Sequence, residues 1–261
     1  MAELAEIMTF LERLAPPALA EDYDNVGLLI GDEHAEVTKV LISLDTDESV
    51  AKEAAELGAQ LVLSHHPLIF RPAKNIIKQS GFGRTVYTLI QNNISLYAMH
   101  TNFDSVSGGL GDYFLAQICS QKAFGCLEGE FPNGIGRIAE LKDSIPLASL
   151  LKKIKQNFGM EQIRFVGSEN TPVRKIAVCN GGGADFTDTA AQMGADVYIS
   201  GDFKYYHARF AYENRLCLVE IPHYEAEIIF CRYLCELLNK EFDRGIEFIV
   251  SEKNRNPWNI K

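Results

Sequence analysis

Six residues carry the chemistry this chain can do: His65, His66, His100, Asp104, His223 and Glu227. They include four of its 6 histidines. His65 and His66 are adjacent in "LVLSHHPLIF", where an apolar run ends. His100 precedes Asp104 by four residues in "HTNFD", and His223 precedes Glu227 by four in "HYEAE". Neutral imidazole and carboxylate are the usual ligands of zinc, iron and manganese. A lone histidine at a strand end is more often a satisfied polar residue, and one H-x-x-x-[DE] match is common by chance. Two such matches at equivalent strand ends, beside a His-His pair, point to metal.

The His-His pair sets a geometric condition. Adjacent side chains of a strand face opposite ways, so both imidazoles reach one site only if the strand ends at Ser64. Pro67 supports such a corner, because it cannot donate to a ladder and restricts the residue before it. Two histidines leaving it can serve two neighbouring ions, with Asp104 and Glu227 available as a bridging carboxylate. A dinuclear centre lowers the pKa of bound water and makes hydroxide available near neutral pH. His100 is open among three roles: ligand, support for a ligand, and general acid/base.

The elements that must position these residues form an internal repeat. Residues 27–66 align without gaps on 163–202. The identities are Gly31/Gly167, Glu33/Glu169, Val37/Val173, Lys39/Lys175, Ala54/Ala190, Ala55/Ala191, Gly58/Gly194, Ala59/Ala195 and Ser64/Ser200. Each copy reads as buried strand ("VTKVLISLD"; "VRKIAVCNG"), helix ("DESVAKEAAELGA"; "FTDTAAQMGA") and second strand ("QLVLS"; "DVYIS"). Such βαβ units favour parallel pairing with a right-handed crossover. A further helix and strand come after each ("GRTVYTLIQNN", "ISLYAM"; "YHARFAYENR", "LCLVEIP"), and these last strands end at His100 and His223. The expected fold is α/β, two similar halves with a metal site between them. The halves are placed at 1–126 and 127–261, with the C-terminal segment able to pack back on the first. Ligands of open α/β sheets bind outside the carboxyl ends of the strands, where these residues lie.

Composition narrows the function classes. The 261 residues are 47% hydrophobic and 23% charged, enough for a sizeable core. The net charge of -10 argues against a nucleic-acid backbone binder, which needs clustered Lys and Arg. The acidic N-terminus does not read as a signal peptide, and no apolar run approaches the roughly 18 residues that span a bilayer. The 6 cysteines form no C-x-x-C pair and read as reduced, buried thiols of a cytoplasmic protein. "GDFK" (201–204) stands where the first copy carries "HHPL"; Asp202 is read as a support for a site residue or an N-cap, and Lys204 as an anion contact or a solvated helix start. "NGGGAD" (180–185) is a tight turn or a weak anion loop, and Asp24 and Asn25 of "DNVGLLIG" are candidates to touch the site. His34 reads as a solvated loop residue, and His207 as structural or site-lining.

The segments "DNVGLLIG", "SHHPLIF", "HTNFD", "GGGADF", "GADVYISGDFKYYHA" and "HYEAE" occur in the order seen in the GTP cyclohydrolase 1 type 2, or NIF-three-like, family, which the chain resembles over nearly its whole length. The resemblance implies a two-domain α/β protein with two divalent ions per subunit. It matches the family's ligands to His65, His66, Asp104, His223 and Glu227, with His100 as a polar site residue suited to proton shuttling. Zinc, iron, manganese and nickel are not distinguished. It also implies a ring-shaped homohexamer and a small-molecule nucleotide substrate. The implied reaction is hydrolytic opening of the GTP imidazole ring, giving formate and 7,8-dihydroneopterin triphosphate. The alternatives are a metal-binding scaffold and a hydrolase of another phosphorylated substrate. Relatives commonly carry histidines at the positions of Tyr205 and Tyr206.

Overall fold

The computed structural model describes residues 2–242 and 245–259. Twelve strands are described: β1 (Ala2–Glu3), β2 (Gly27–Ile30), β3 (Glu36–Val37), β4 (Lys39–Ser43), β5 (Leu61–Ser64), β6 (Ser95–Ala98), β7 (Arg137–Pro146), β8 (Arg164–Val166), β9 (Pro172–Val178), β10 (Val197–Ser200), β11 (Cys217–Glu220) and β12 (Glu247–Val250). The α-helices are α1 (Leu4–Leu14), α2 (Glu48–Leu57), α3 (Gly81–Gln91), α4 (Thr101–Ser105), α5 (Leu110–Ile118), α6 (Leu147–Asn157), α7 (Thr187–Gln192), α8 (Tyr205–Glu213), α9 (His223–Glu227) and α10 (Ile229–Glu241). Two compact units result, Met1–Phe103 with Ile228–Lys261, and Asp104–Glu227.

The first unit is built on a mixed sheet of order β12-β4-β5-β6-β2. Its four strands β12, β4, β5 and β6 run parallel, and β2 closes the edge antiparallel to β6. β4 and β5 are almost continuously apolar and buried, as strands covered on both faces must be. Helix α2 starts at Asp47, whose carboxylate accepts from the Ser49 and Val50 N–H groups, and stops at Gly58, left-handed at φ +67°. Val50, Ala51 and Ala54 of α2 pack with Leu41, Val62, Leu89 and Leu96. Helix α10 lies against β12 and β4.

The second unit repeats the plan. Its sheet has the order β7-β9-β10-β11-β8, with β9, β10 and β11 parallel and β8 antiparallel at the edge. The fifth strand differs: β7 pairs antiparallel with β9, whereas β12 pairs parallel with β4. The repeat also holds at the edge. Gly31 and Gly167 both have positive φ (+132° and +118°), and an added methyl would collide with the Ser95 hydroxyl at one and with the Cys217 sulfur at the other. Glycine is identical there because each edge strand must turn tightly over the start of its neighbour.

Arg137 at the start of β7 is fully buried. It donates to the carbonyls of Gly134 (2.6 Å), Gly136 (2.8 Å), Ser105 (3.1 Å) and Val106 (3.0 Å), and pairs with Asp112 at 3.0 Å. It thereby satisfies carbonyls left open after the short helix α4, which carries Asp104. No helix among the described residues is long and apolar enough to cross a membrane.

Candidate metal centre

The candidate residues gather in two groups, one in each unit. In the first, β5 ends at Ser64, as the pair requires, and on its β4 side the His65 and His66 N–H groups still donate to the Ser43 and Leu44 carbonyls. β6 ends at Ala98, two residues before His100. His65, His66 and His100 each offer a ligand atom, and the three atoms lie within 4.8 Å of one another. The rings of His65 and Phe230 lie 4.8 Å apart, so an apolar wall backs the buried imidazole.

Each ring is oriented by a second partner. His65 Nδ1 lies 2.8 Å from the Met99 carbonyl oxygen, His66 Nδ1 2.8 Å from Asp45 Oδ1, and His100 Nδ1 2.9 Å from Asp24 Oδ1. A carbonyl or a carboxylate can only accept, so Nδ1 carries the proton and Nε2 the lone pair in each neutral ring. The Asp24 side chain is fully enclosed. Its other oxygen accepts from the Thr101 N–H and hydroxyl. Burial alone would push its carboxyl up, but the hydrogen bonds from His100 and Thr101 outweigh it and hold the group well below the usual carboxylate range.

In the second unit, Asp104 and Glu227 are buried. The side-chain amide of Asn180 donates to Asp104 Oδ1 (2.8 Å) and to Glu227 Oε1 (3.1 Å), spending its two N–H groups on two carboxylates. His223 and Glu227 are the first and last residues of α9, one turn apart on one face. His223 Nδ1 meets Asp202 Oδ2 at 2.9 Å, and its Nε2 meets Glu227 Oε2 at 2.9 Å. The imidazole thus stands between two carboxylates, with Nδ1 turned to an aspartate as in His66 and His100.

Glycines make room for this group. A methyl at Gly181 would collide with Glu227 Oε1, and one at Gly182 would stand 3.1 Å from Asp202 Oδ2. "NGGGAD" is therefore a turn into which a carboxylate and an imidazole press. Asp202 orients His223 and does not cap a helix, since α8 begins at Tyr205 with Lys204 as N-cap. Lys204 lies over the Tyr206 ring at 5.8 Å. His207 is buried, its Nδ1 accepting from the Lys204 N–H at 3.1 Å, and serves the helix start. His34 is exposed.

Three supports have little or no sequence signal: Asn180, Asp45 and the Asp24–His100 contact. Asp24 is within reach of sequence reasoning, as a polar residue opening an edge strand. Asn180 carries no signal beyond starting the glycine turn.

The donor set suits a hard or borderline divalent ion. A metal-bound imidazole ordinarily donates its other N–H to a carboxylate or carbonyl, and all four rings do so. Adjacent donors about 2.1 Å from one ion sit about 3 Å apart, the spacing of His223 Nε2 and Glu227 Oε2. Among the described residues, no cysteine belongs to the candidate ligand groups. All 6 cysteines are free. Burial pushes the Cys179 thiol far up, and the neighbouring Asp104 and Glu227 carboxylates push it further.

Comparison with known proteins matches the chain to a family. Residues 2–257 match the model of the Duf34/NIF3 (NGG1p interacting factor 3) family. A Clostridium perfringens protein named GTP cyclohydrolase 1 type 2 homolog is 38% identical over 260 residues, covering 98% of each chain. A Lactococcus lactis protein of the same name is 33% identical over 98% of each. Among solved structures, a Staphylococcus aureus hypothetical protein superposes with a TM-score of 0.89 at 31% identity, over 99% of each chain. A Bacillus cereus protein related to NIF3 gives 0.91 over 100% of this chain and 99% of that one, at 23% identity, a likeness of fold. The chain belongs to the Duf34/NIF3 family.

Proposed function

We propose that the chain is a metal-dependent hydrolase of a purine nucleotide, opening the imidazole ring of GTP to release formate and leave 7,8-dihydroneopterin triphosphate. The observation that carries the reading is the common set of the four histidines: each has Nδ1 held by a fixed acceptor and presents Nε2. Three of these rings belong to the proposed ligands, and a second partner on each is what ligand orientation requires. The relatives' name, GTP cyclohydrolase 1 type 2 homolog, supports the choice of reaction.

His65, His66, Asp104, His223 and Glu227 would hold two divalent ions. Bound there, the ions would supply a lowered pKa for water and charge to polarise the substrate. The chain's own residues do the rest. Asn180 keeps both carboxylates aimed together. Asp24 fixes the His100 ring, so that Nε2 is the atom that takes and returns a proton during ring opening. Phe230 excludes water behind His65.

The test is formate release from GTP by purified, metal-loaded protein. Wild type should release formate and a His65→Ala/His66→Ala variant should not. Equal release by both, or none by either, contradicts the reading. A protein that keeps its cellular role in an Asp104→Ala variant would instead act through its surface.

A further inference from the structure

A second feature lies beside His66, in the first unit. The segment after β12 crosses the carboxyl ends of β4 and β5 and closes a cleft of about 380 Å³, lined in part by Asp45, Thr46, His66, Lys253, Asn254 and Arg255. That size falls within the range of small-molecule sites. The segment is fastened. Asn254 Oδ1 accepts from the Leu44 N–H at 2.8 Å, and its amide donates to the Ser251 carbonyl at 2.9 Å. The buried Glu53 accepts from the Ser251 hydroxyl and from the Glu252 N–H.

The charges are unevenly committed. Lys39, Lys52 and Arg84 of this unit each pair with a glutamate. Among the described residues, Lys253 and Arg255 form no ion pair. The two acids at the cleft already have partners: Asp45 Oδ1 meets His66 Nδ1, and Asp47 Oδ1 accepts from the Ser49 and Val50 N–H groups. In a chain of net charge -10, two cations without a carboxylate partner, on a fastened segment and facing a cleft that includes a candidate metal ligand, are available to an anion.

We propose that this cleft binds the phosphate chain of the substrate, with Lys253 and Arg255 as its cationic contacts. The assignment rests on the nucleotide-hydrolase reading for the identity of the anion. Arg255 offers a planar fork suited to phosphate oxygens, and Lys253 a compact charge. Phosphates held here stand beside His66, so this end of the substrate is fixed while the base is left to the metal centre. Binding energy from such a non-reacting part orients the reacting ring.

The test is calorimetric binding of inorganic triphosphate to the full-length, metal-loaded protein. Wild type is compared with Lys253→Gln/Arg255→Gln and with the charge-preserving Lys253→Arg/Arg255→Lys, all checked for equal thermal midpoints. The glutamine variant should bind at least about tenfold more weakly, and the charge-preserving one within about threefold of wild type. Wild-type affinity should fall as sodium chloride is raised. With GTP, the glutamine variant should show a raised KM and little change in kcat. Equal triphosphate affinity of wild type and the glutamine variant overturns the proposal. The two readings separate cleanly. Triphosphate binding that depends on Lys253 and Arg255, without any formate from GTP, keeps the anion site and removes the cyclohydrolase reaction. Formate release with an unchanged KM in the glutamine variant does the reverse.

Discussion

The two sheets share their parallel strands, their crossover helices and an antiparallel edge strand, yet they differ at the end of the middle strand. β5 runs from Ser64 into His65-His66-Pro67, and β10 from Ser200 into Gly201-Asp202-Phe203. The fold therefore does not need the His-His pair. In both halves the strand stops at a serine, and the residues beyond that serine differ. One half places two imidazoles there. The other places Asp202, at the left-handed φ of 60°, to orient a histidine from the next strand end. His100 and His223 each lie two or three residues beyond a strand end and each turn Nδ1 to an aspartate at 2.9 Å, but the aspartate comes from before the edge strand in one half and from the middle strand end in the other. Equivalent function at the ring is reached by different routes through the same topology.

The two fifth strands differ as well, and variants there should have the largest effects. Arg137 locks β7 in the second unit, and Glu53 fastens the segment after β12 in the first. Arg137→Met leaves four carbonyls without their donor and should cost about 3–5 kcal/mol, measured by urea unfolding. Glu53→Ala strands one hydroxyl and one N–H and should cost about 1–3 kcal/mol. If the two were equal, the view that the second unit depends more on the buried Arg137 than the first does on Glu53 would be wrong.

The glycine pair sharpens the likeness. Gly31→Ala drives a methyl into the Ser95 side chain, and Gly167→Ala brings one to 2.7 Å from the Cys217 sulfur. Both should destabilise, by about 1–3 kcal/mol, with Gly31→Ala the larger because its methyl also presses on the Ser95 backbone. Reversed order in thermal unfolding would break the structural equivalence of the two edges.

The two aspartates test the difference in role. Asp202→Ala should weaken metal binding about tenfold to a hundredfold, because His223 loses its orienting acceptor. Asp24→Asn should leave metal stoichiometry unchanged and lower kcat by about a hundredfold. Isothermal titration with metal and steady-state formate release separate the two. A smaller effect is expected at Tyr205, which is 82% exposed: Tyr205→Ala should move stability by no more than about 0.5 kcal/mol.

Much of the fold is legible in the sequence, for physical reasons that differ by feature. The βαβ units are readable because buried parallel strands are continuous apolar runs and because Asp47 and Gly58 mark the ends of α2. The H-x-x-x-[DE] spacing is readable because four residues make one helical turn, as α9 shows. The supports are not. Asn180 touches Asp104 across 76 positions and Glu227 across 47, and Asp24 touches His100 across 76. Such contacts leave no local pattern. The reason for "NGGG" is also hidden, since the oxygen that excludes a side chain at Gly181 comes from Glu227, far along the chain. The pairing of β12 with β4 is set by partners about 208 residues apart (247 against 39), beyond any periodicity signal.

In the proposed metal centre the His-His corner supplies ligands and is dispensable to the fold. Converting the corner to its counterpart, His65→Gly/His66→Asp, and counting bound metal per chain by plasma mass spectrometry after equilibrium loading separates the two roles. Two ions are expected per wild-type chain and fewer than one in the variant, with an unchanged circular dichroism spectrum. Two ions retained by the variant would show that the corner supplies no ligand.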